Sequence, residues 1–162
     1  MCGNNILEPG EFFTDPVNGV VGDVNGVACP ADGQVLACTA DGSFSFDVLL
    51  EPPLGTVPTS ATVVIGYRGD RASIPGTGTA GLTRVTFPAP QPFVRSARDF
   101  DYAIRVVGIR TGPFPDGPMF TIRFDGCTGQ PAPTASDLAC IMDGCAGSGG
   151  TISGCECTIV TR

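Results

Sequence analysis

The 162-residue chain contains no histidine, no tryptophan and no lysine. Without histidine, neither a Ser-His-Asp nor a Cys-His catalytic arrangement can be assembled. Without lysine, the phosphate-binding loops and the lysine-assisted nucleophiles that depend on it are excluded as well. Carboxylate chemistry remains, and Asp99 and Asp101 in "RDFDY" share a face if that segment is extended. A glycosidase needs two carboxylates about 5–10 Å apart across a cleft, so we expect a solvated strand entry here and a protein that is not an enzyme.

Charge is also scarce, and it is mostly of one sign. Only 15% of the residues are charged, and the 16 acidic residues outweigh nine basic ones, all arginine, to give a formal net charge of −7. Such a chain cannot neutralise a row of phosphates, which argues against a nucleic-acid partner. No apolar run approaches the roughly 20 residues that span a bilayer. The chain has no tryptophan and only two tyrosines, Tyr67 and Tyr102, so an aromatic platform for sugars is disfavoured.

Cysteine, glycine and proline are abundant instead, with eight, 23 and 15 residues respectively. Zinc sites that mix cysteine and histidine are impossible here, and an all-cysteine site usually needs two close pairs with two to four residues between partners. Cys155 and Cys157 have only one residue between them, and no CxxC occurs. The even count therefore favours disulfides. Disulfides indicate an oxidising compartment, so we expect a secreted or surface-exposed protein.

The apolar residues follow the two-residue period of β-strands. In "SFSFDVLL", Phe44, Phe46, Val48 and Leu50 alternate with polar residues, which predicts one buried and one exposed face. Glycine and proline punctuate the strands, and proline runs at 88–92 and 131–133 would guard strand edges. Outward-facing arginines would pair with aspartates on neighbouring strands or serve a protein interface: Arg84, Arg105, Arg110 and Arg123. The predicted strands are 43–50, 61–67, 82–87, 101–109, 119–124, 136–143 and 152–161.

Many short strands with such turns predict an all-β fold, an antiparallel β-sandwich of jelly-roll type stapled by disulfides. We expect one sandwich domain over residues 19–162, preceded by an N-terminal arm, residues 1–18. The arm lacks an evident partner within the domain. Its apolar residues Phe12, Phe13 and Val17 are therefore candidate interface residues.

The disulfide pairing is a hypothesis, one of 105 possibilities for eight cysteines. If 136–143 and 152–161 form one antiparallel hairpin through the glycine turn, that hairpin would hold two bonds. A third bond would close a short surface loop, and the fourth would tie the arm to the domain. The four predicted pairs are Cys140–Cys157, Cys145–Cys155, Cys29–Cys38 and Cys2–Cys127.

Calcium is the one cofactor that the sequence leaves open. "GDVNGVACPADG" (22–33) begins like a calcium loop, with Asp23 and Asn25 at alternate positions. The pattern then breaks at Val27, where an oxygen ligand should follow. Asp41 adds a carboxylate in a nearby turn, but aspartate is also an ordinary turn residue.

Two stretches resemble known families. "CGNNILEPGE" (2–11) resembles the opening of the myxococcal cysteine-rich repeat, which marks extracellular bacterial proteins. Residues 19–161 resemble a cohesin-type sandwich in the order of their segments, among them "FSFDVLLE" and "RVVGIRTGPFPDGPMFTIRF". This resemblance implies a cohesin-like β-sandwich that binds another protein or builds a secreted assembly. Cys2 could be a lipidated first residue or half of a disulfide, and the resemblance favours the disulfide.

Together these features predict a non-catalytic extracellular module, a subunit of a secreted or surface bacterial assembly such as a fibre. The arm could add a strand to a neighbouring subunit, as in donor-strand complementation. The alternative is a monomeric, cohesin-like module that binds a secreted protein partner. Calcium-dependent adhesion and carbohydrate binding rank below these two.

Overall fold

Two antiparallel five-stranded sheets pack face to face in the computed structural model of the chain. The structure describes residues 38–67, 71–74, 79–100 and 103–162, together with the backbone of 12–15 and 20–22. Two short 3-10 helices, Thr79–Arg84 and Ala135–Asp137, accompany the strands. The strands are β1 (Phe12–Asp15), β2 (Val20–Gly22), β3 (Ala40–Glu51), β4 (Ser60–Tyr67), β5 (Ala72–Ser73), β6 (Val85–Thr86), β7 (Val94–Phe100), β8 (Ala103–Ile109), β9 (Pro118–Cys127), β10 (Leu138–Gly147), β11 (Gly150–Thr151) and β12 (Glu156–Thr161).

The first sheet has the order β11-β10-β4-β8-β7, and the second has the order β12-β3-β9 with β5 and β6 both paired to β9. Inward-facing residues of both sheets meet in one core. The predicted all-β antiparallel sandwich is thus confirmed, and so is the inward face of the strand that carries Phe46 and Val48. The largest fully buried side chains are Phe46, Phe120, Phe124, Ile65, Ile104, Met119, Ile122, Val48, Val63 and Val106.

Different devices close the two long sides of the sandwich. On one side, β10 of the first sheet and β12 of the second are joined by the disulfide Cys140–Cys157. On the other side, the 3-10 helix Thr79–Arg84 packs against β7 and leads into β6. At the end of this helix, the Arg84 guanidinium donates two hydrogen bonds to the Asp125 carboxylate on β9, at 2.7 and 3.1 Å.

Three of the expectations about local structure are wrong. Segments 136–143 and 152–161 do not form one hairpin, because β10 pairs with β4 while β12 pairs with β3 in the opposite sheet. The strand expected at 82–87 shrinks to Val85–Thr86, since the preceding residues form the 3-10 helix. The proline run at 88–92 guards no strand edge, because it lies in the connection between β6 and β7.

The disulfides partly follow the prediction. Cys140–Cys157 and Cys145–Cys155 are present as expected, although they bridge a crossing between sheets and not a hairpin. Cys38, however, is bonded to Cys127, so the predicted pairs Cys29–Cys38 and Cys2–Cys127 are both wrong. The reason is register: Ala40 of β3 pairs with Cys127 of β9, which places Cys38 beside Cys127 with a Cα–Cα distance of 4.9 Å. Cys2 and Cys29 lie outside the described residues.

The N-terminal region contributes a two-stranded sheet. β1 and β2 pair antiparallel, with Phe12 opposite Gly22 and Phe13 opposite Val21. The predicted boundary between an arm at 1–18 and a domain at 19–162 falls between these two strands. The division therefore stays a prediction.

Candidate functional site

The predicted calcium ligands are not brought together within the described part of the chain. Asp41 lies at the start of β3 with an exposed side chain, whereas Asp23 and Asn25 fall outside the described residues. Across the described ranges, no group of three or more histidine, cysteine, aspartate or glutamate residues is arranged to hold a metal ion. Calcium thus stays a hypothesis that rests on the sequence alone.

The carboxylate pair has one described member. Asp99 is buried at 6% exposure, and its carboxylate accepts a hydrogen bond of 3.0 Å from the Tyr67 hydroxyl. The Tyr67 ring itself packs on Phe124 in the core. The expectation of a solvated strand entry is therefore wrong for Asp99, because β7 turns this side chain between the sheets. Asp101 lies outside the described residues.

Three of the four arginines that were expected to face outward make specific contacts. Arg84 is held by Asp125 with little exposure of either side chain. Asp125 alternates with the core residues Ile122 and Phe124 on β9, so this pair lies on the face of the sheet away from the core. Arg105 reaches from β8 to Asp143 on β10 with 2.9 Å between Nε and Oδ2, and both side chains are exposed. Both arginines pair with an aspartate on a strand, as expected, but Arg84 itself ends a 3-10 helix, and Arg105 reaches across β4 to β10, which is not a neighbouring strand. Arg123 is exposed on β9.

The loops at one end of the sandwich form a distinctive surface. Four connections cross between the sheets there: 152–155, 52–59, 110–117 and 87–93. Because the strands they join follow the same order in both sheets, the loops lie side by side in the order just given. We call this surface the loop end. Nine of the 15 prolines lie in or next to these loops: Pro52, Pro53, Pro58, Pro88, Pro90, Pro92, Pro113, Pro115 and Pro118.

Exposed apolar side chains are concentrated at the loop end. Leu54 is fully exposed, and Phe93 is 64% and Val57 55% exposed. Val94, at the start of β7, is also exposed. In the described residues only one further large apolar side chain, Val160 on β12, is exposed to this degree. Leu54 and Val57 lie in loop 52–59, whereas Phe93 and Val94 lie at the end of loop 87–93, so the exposed apolar groups share one end of the sandwich. Exposed apolar groups gathered on one surface are candidates for an interaction site.

The exposure of Leu54 follows from a tight turn. In "PLGT" (53–56) the Thr56 N–H donates to the Pro53 carbonyl at 3.1 Å, and Gly55 has a φ of 79°. This is the pattern of a type II turn, which needs glycine at its third position. Leu54 occupies the second position, the apex. The sequence therefore builds an exposed leucine into a rigid turn.

Arg110 ties three of the four loops together. Its backbone N–H donates to the Thr59 carbonyl at 2.7 Å, and its side chain donates to the carbonyl oxygens of Pro113 and Pro90. The guanidinium also lies over the Phe114 ring, 5.9 Å from its centroid. The fourth loop is fixed by the Cys145–Cys155 disulfide. Each of the four loops is thus tied to another loop or to a strand of the sandwich.

A groove of about 320 Å³ opens between loops 52–59 and 110–117. This volume is at the lower end of the range for ligand sites. Most of the lining residues are apolar, although polar and apolar atoms contribute about equally to the exposed surface, and Asp116 is the one charged residue that lines it. The lining residues are Leu50, Pro52, Thr56, Val57, Pro58, Pro113, Phe114, Pro115, Asp116, Gly117 and Met119.

The sequence interpretation missed this surface. It treated "EPPLGTVP" and "GPFPDGP" only as punctuation between strands, and it placed the interface at Phe12, Phe13 and Val17. Of these three, Phe12 and Phe13 lie in β1, and Val17 is outside the described residues. The signal that could have revealed the loop end is the recurrence of proline beside a large apolar residue in three separate turns.

No model of a known protein family matches the chain, and neither does any curated protein or solved structure. Within the described residues, no helix has the length and hydropathy needed to cross a membrane.

Proposed function

We propose that the protein is a non-catalytic extracellular interaction module that binds a protein partner through the loop end. The observation that carries this proposal is the distribution of exposed apolar side chains. Four of the five large ones found in the described residues lie at this end of the sandwich. Singly scattered apolar residues need no explanation, whereas a group on one surface does.

The rigidity of the loop end supports a binding role. Prolines restrict the backbone, Arg110 holds three of the loops to one another, and the Cys145–Cys155 bond holds the fourth to β10. A surface that is already ordered loses little conformational entropy when it binds. Exposed apolar groups on such a surface therefore favour association with a partner.

The extracellular location is supported by the disulfides. Three bonds staple the described residues, and such bonds persist in oxidising compartments. A non-catalytic role is supported by the composition, because the chain has neither histidine nor lysine. A purified chain that hydrolysed a glycan, with the activity lost in Asp101→Asn, would contradict this part of the proposal.

Matched valine variants test the proposal. The oxidised protein and its Val57→Asp and Val160→Asp variants are immobilised and exposed to secreted proteins from the source culture. Both substitutions place a carboxylate at an exposed valine, but only Val57 lies at the loop end. A partner that is retained by the unchanged chain and by Val160→Asp, and lost with Val57→Asp, is the expected result. Equal retention by all three chains would place binding elsewhere.

A second candidate function is that of a subunit in a self-assembling fibre. It is favoured by an open strand edge: β12 pairs with β3 only as far as Phe46, and the Arg162 N–H donates to the Ser45 carbonyl at 3.2 Å. Among the described strands, none pairs with residues 40–44 on this side of β3. A strand from a neighbouring subunit could extend the sheet there.

Electron microscopy of the non-reduced protein tests this second candidate. Ordered filaments that disappear when residues 1–18 are deleted would support strand exchange by the predicted arm. Cys2→Ser is the control, because the deletion also removes this cysteine. Dispersed particles at all concentrations would exclude self-assembly and leave the binding module.

A further inference from the structure

We infer that the partner of the loop end is a protein segment in which an apolar side chain stands next to arginine or lysine. This inference rests on the proposed function, since it names the class of partner for the same surface. It comes from the charges around the groove between loops 52–59 and 110–117. The groove itself accepts the apolar side chain.

All charged residues in the two segments that form the groove are acidic. Over residues 50–58 and 113–119 these are Glu51 and Asp116, and no arginine occurs. Asp116 lines the groove and is exposed. The nearest arginine along the chain, Arg110, does not line the groove but keeps its positive charge behind it, over the Phe114 ring and bonded to the carbonyl oxygens of Pro113 and Pro90. The one charge on the lining of the groove is therefore negative, and it stands among mostly apolar residues.

A second carboxylate stands directly beside Glu51. Glu156 of β12 is its register partner on β3, and both side chains are exposed. Like charges directly opposite one another across two strands are mutually destabilising. Glu51 accepts a hydrogen bond from the Thr158 hydroxyl, which leaves its negative charge in place. A cation of the partner beside these two carboxylates would relieve this repulsion, as a cation beside Asp116 would gain an attraction there.

The net charge of the chain argues against a second copy as the occupant. Each copy carries a formal charge of −7, so two copies repel each other before they touch. The same field attracts a basic segment and accelerates its encounter with the groove. Charge complementarity thus selects a partner that is basic where this chain is acidic.

Short synthetic peptides with one common apolar centre test the inference. Three sets carry arginine, serine or aspartate on both flanks, and their binding to the oxidised protein is followed by fluorescence anisotropy. We expect the arginine set to bind most tightly and the aspartate set most weakly, with the difference shrinking as salt is added. Asp116→Asn should weaken the arginine set by about two- to fivefold, which is the effect of one exposed ion pair.

Two control variants separate this inference from the proposed function. Asp41→Asn makes the same change of charge at an exposed position at the opposite end of β3, so it should leave the preference for arginine intact. Val57→Ser, which removes an apolar contact in the groove without adding charge, should weaken all three sets. Binding that depends on Val57 but favours serine or aspartate flanks would overturn the basic partner and keep the loop end. Failure of every set to bind would overturn both the basic partner and the loop end. Self-association of the protein that Val57→Asp abolishes would overturn the basic partner.

Discussion

At the scale of single residues, the two arginine–aspartate pairs differ in their surroundings. The Arg84 and Asp125 side chains are only 14% and 16% exposed, and two hydrogen bonds join them. Arg105 and Asp143 are 41% and 46% exposed and share one. A two-pronged contact with little water around it is stronger than an exposed one, because screening is weaker and the geometry is fixed. The two pairs therefore form a matched comparison.

Asp125→Asn should lower the free energy of unfolding by about 1–3 kcal/mol. Asparagine is neutral and keeps only one acceptor oxygen, so one hydrogen bond from Arg84 loses its acceptor and the other no longer ends on a charged group. Asp143→Asn, the same change in the exposed pair, should cost less than about 1 kcal/mol. Urea denaturation of the oxidised proteins measures both. Equal losses in the two variants would contradict the stronger role given to the Arg84 pair.

The direction of individual side chains could be predicted only where alternation is regular. Phe46, Val48 and Phe120 face the core as the two-residue period requires. The same reasoning failed to predict the backbone of residues 82–84, because these residues end a 3-10 helix just before Val85. It also failed for Asp99, whose position on β7 faces the core and whose partner Tyr67 is 32 residues away in the chain.

At the scale of strands, the sequence indicated most of the elements but not their neighbours. The segments at 43–50, 61–67 and 119–124 were predicted almost to their ends. Whether 152–161 pairs with 136–143 or crosses to the other sheet depends on which strand offers the longer match. β10 pairs with β4 at eight positions, whereas β12 pairs with β3 at six positions in the other sheet. A local pattern carries no information on this competition.

The disulfide Cys38–Cys127, which joins the segment before β3 to β9, can be tested by tryptic digestion. Because the chain has no lysine, cleavage occurs only after arginine, and the fragments 1–68 and 124–162 together contain all eight cysteines. The Cys38–Cys127 bond should join these two fragments under non-reducing conditions. Cys38→Ser should separate them, while Cys2→Ser should leave them joined. Mass spectrometry of the digests shows whether the two fragments are linked. A link that survives Cys38→Ser but not Cys2→Ser would contradict the Cys38–Cys127 bond and support the pair Cys2–Cys127 that the sequence predicted.

At the scale of the whole molecule, the two long sides of the sandwich are closed in different ways. The β10–β12 side is closed by a covalent bond between the sheets, whereas the β7 side is closed by packing and by the Arg84–Asp125 pair. None of this organisation follows from local periodicity, because it depends on the order of strands in two sheets. The loop end cannot be predicted without that order, since its four loops are far apart in the chain.

The two long sides should therefore open at different rates. β7 and β12 are both edge strands with one hydrogen-bonded neighbour, and most of the described side chains on each are at least partly exposed. Only β12 is tied to the opposite sheet, through Cys140–Cys157. We expect amide hydrogens of β7 to exchange faster than those of β12 in the native protein, because local opening is less constrained there.

The paired Cys140→Ser, Cys157→Ser variant tests the cause of this difference. A bond that closes a loop of this length is worth about 3 kcal/mol in the chain-entropy account, so exchange in β12 should accelerate by about ten- to a hundredfold. Exchange in β7 should change far less, and β7 is the internal control for global destabilisation. Hydrogen–deuterium exchange with mass spectrometry resolves the two strands. If β12 and β7 accelerated equally, the bond would stabilise the whole sandwich uniformly, and the separate closure of its two sides would be wrong.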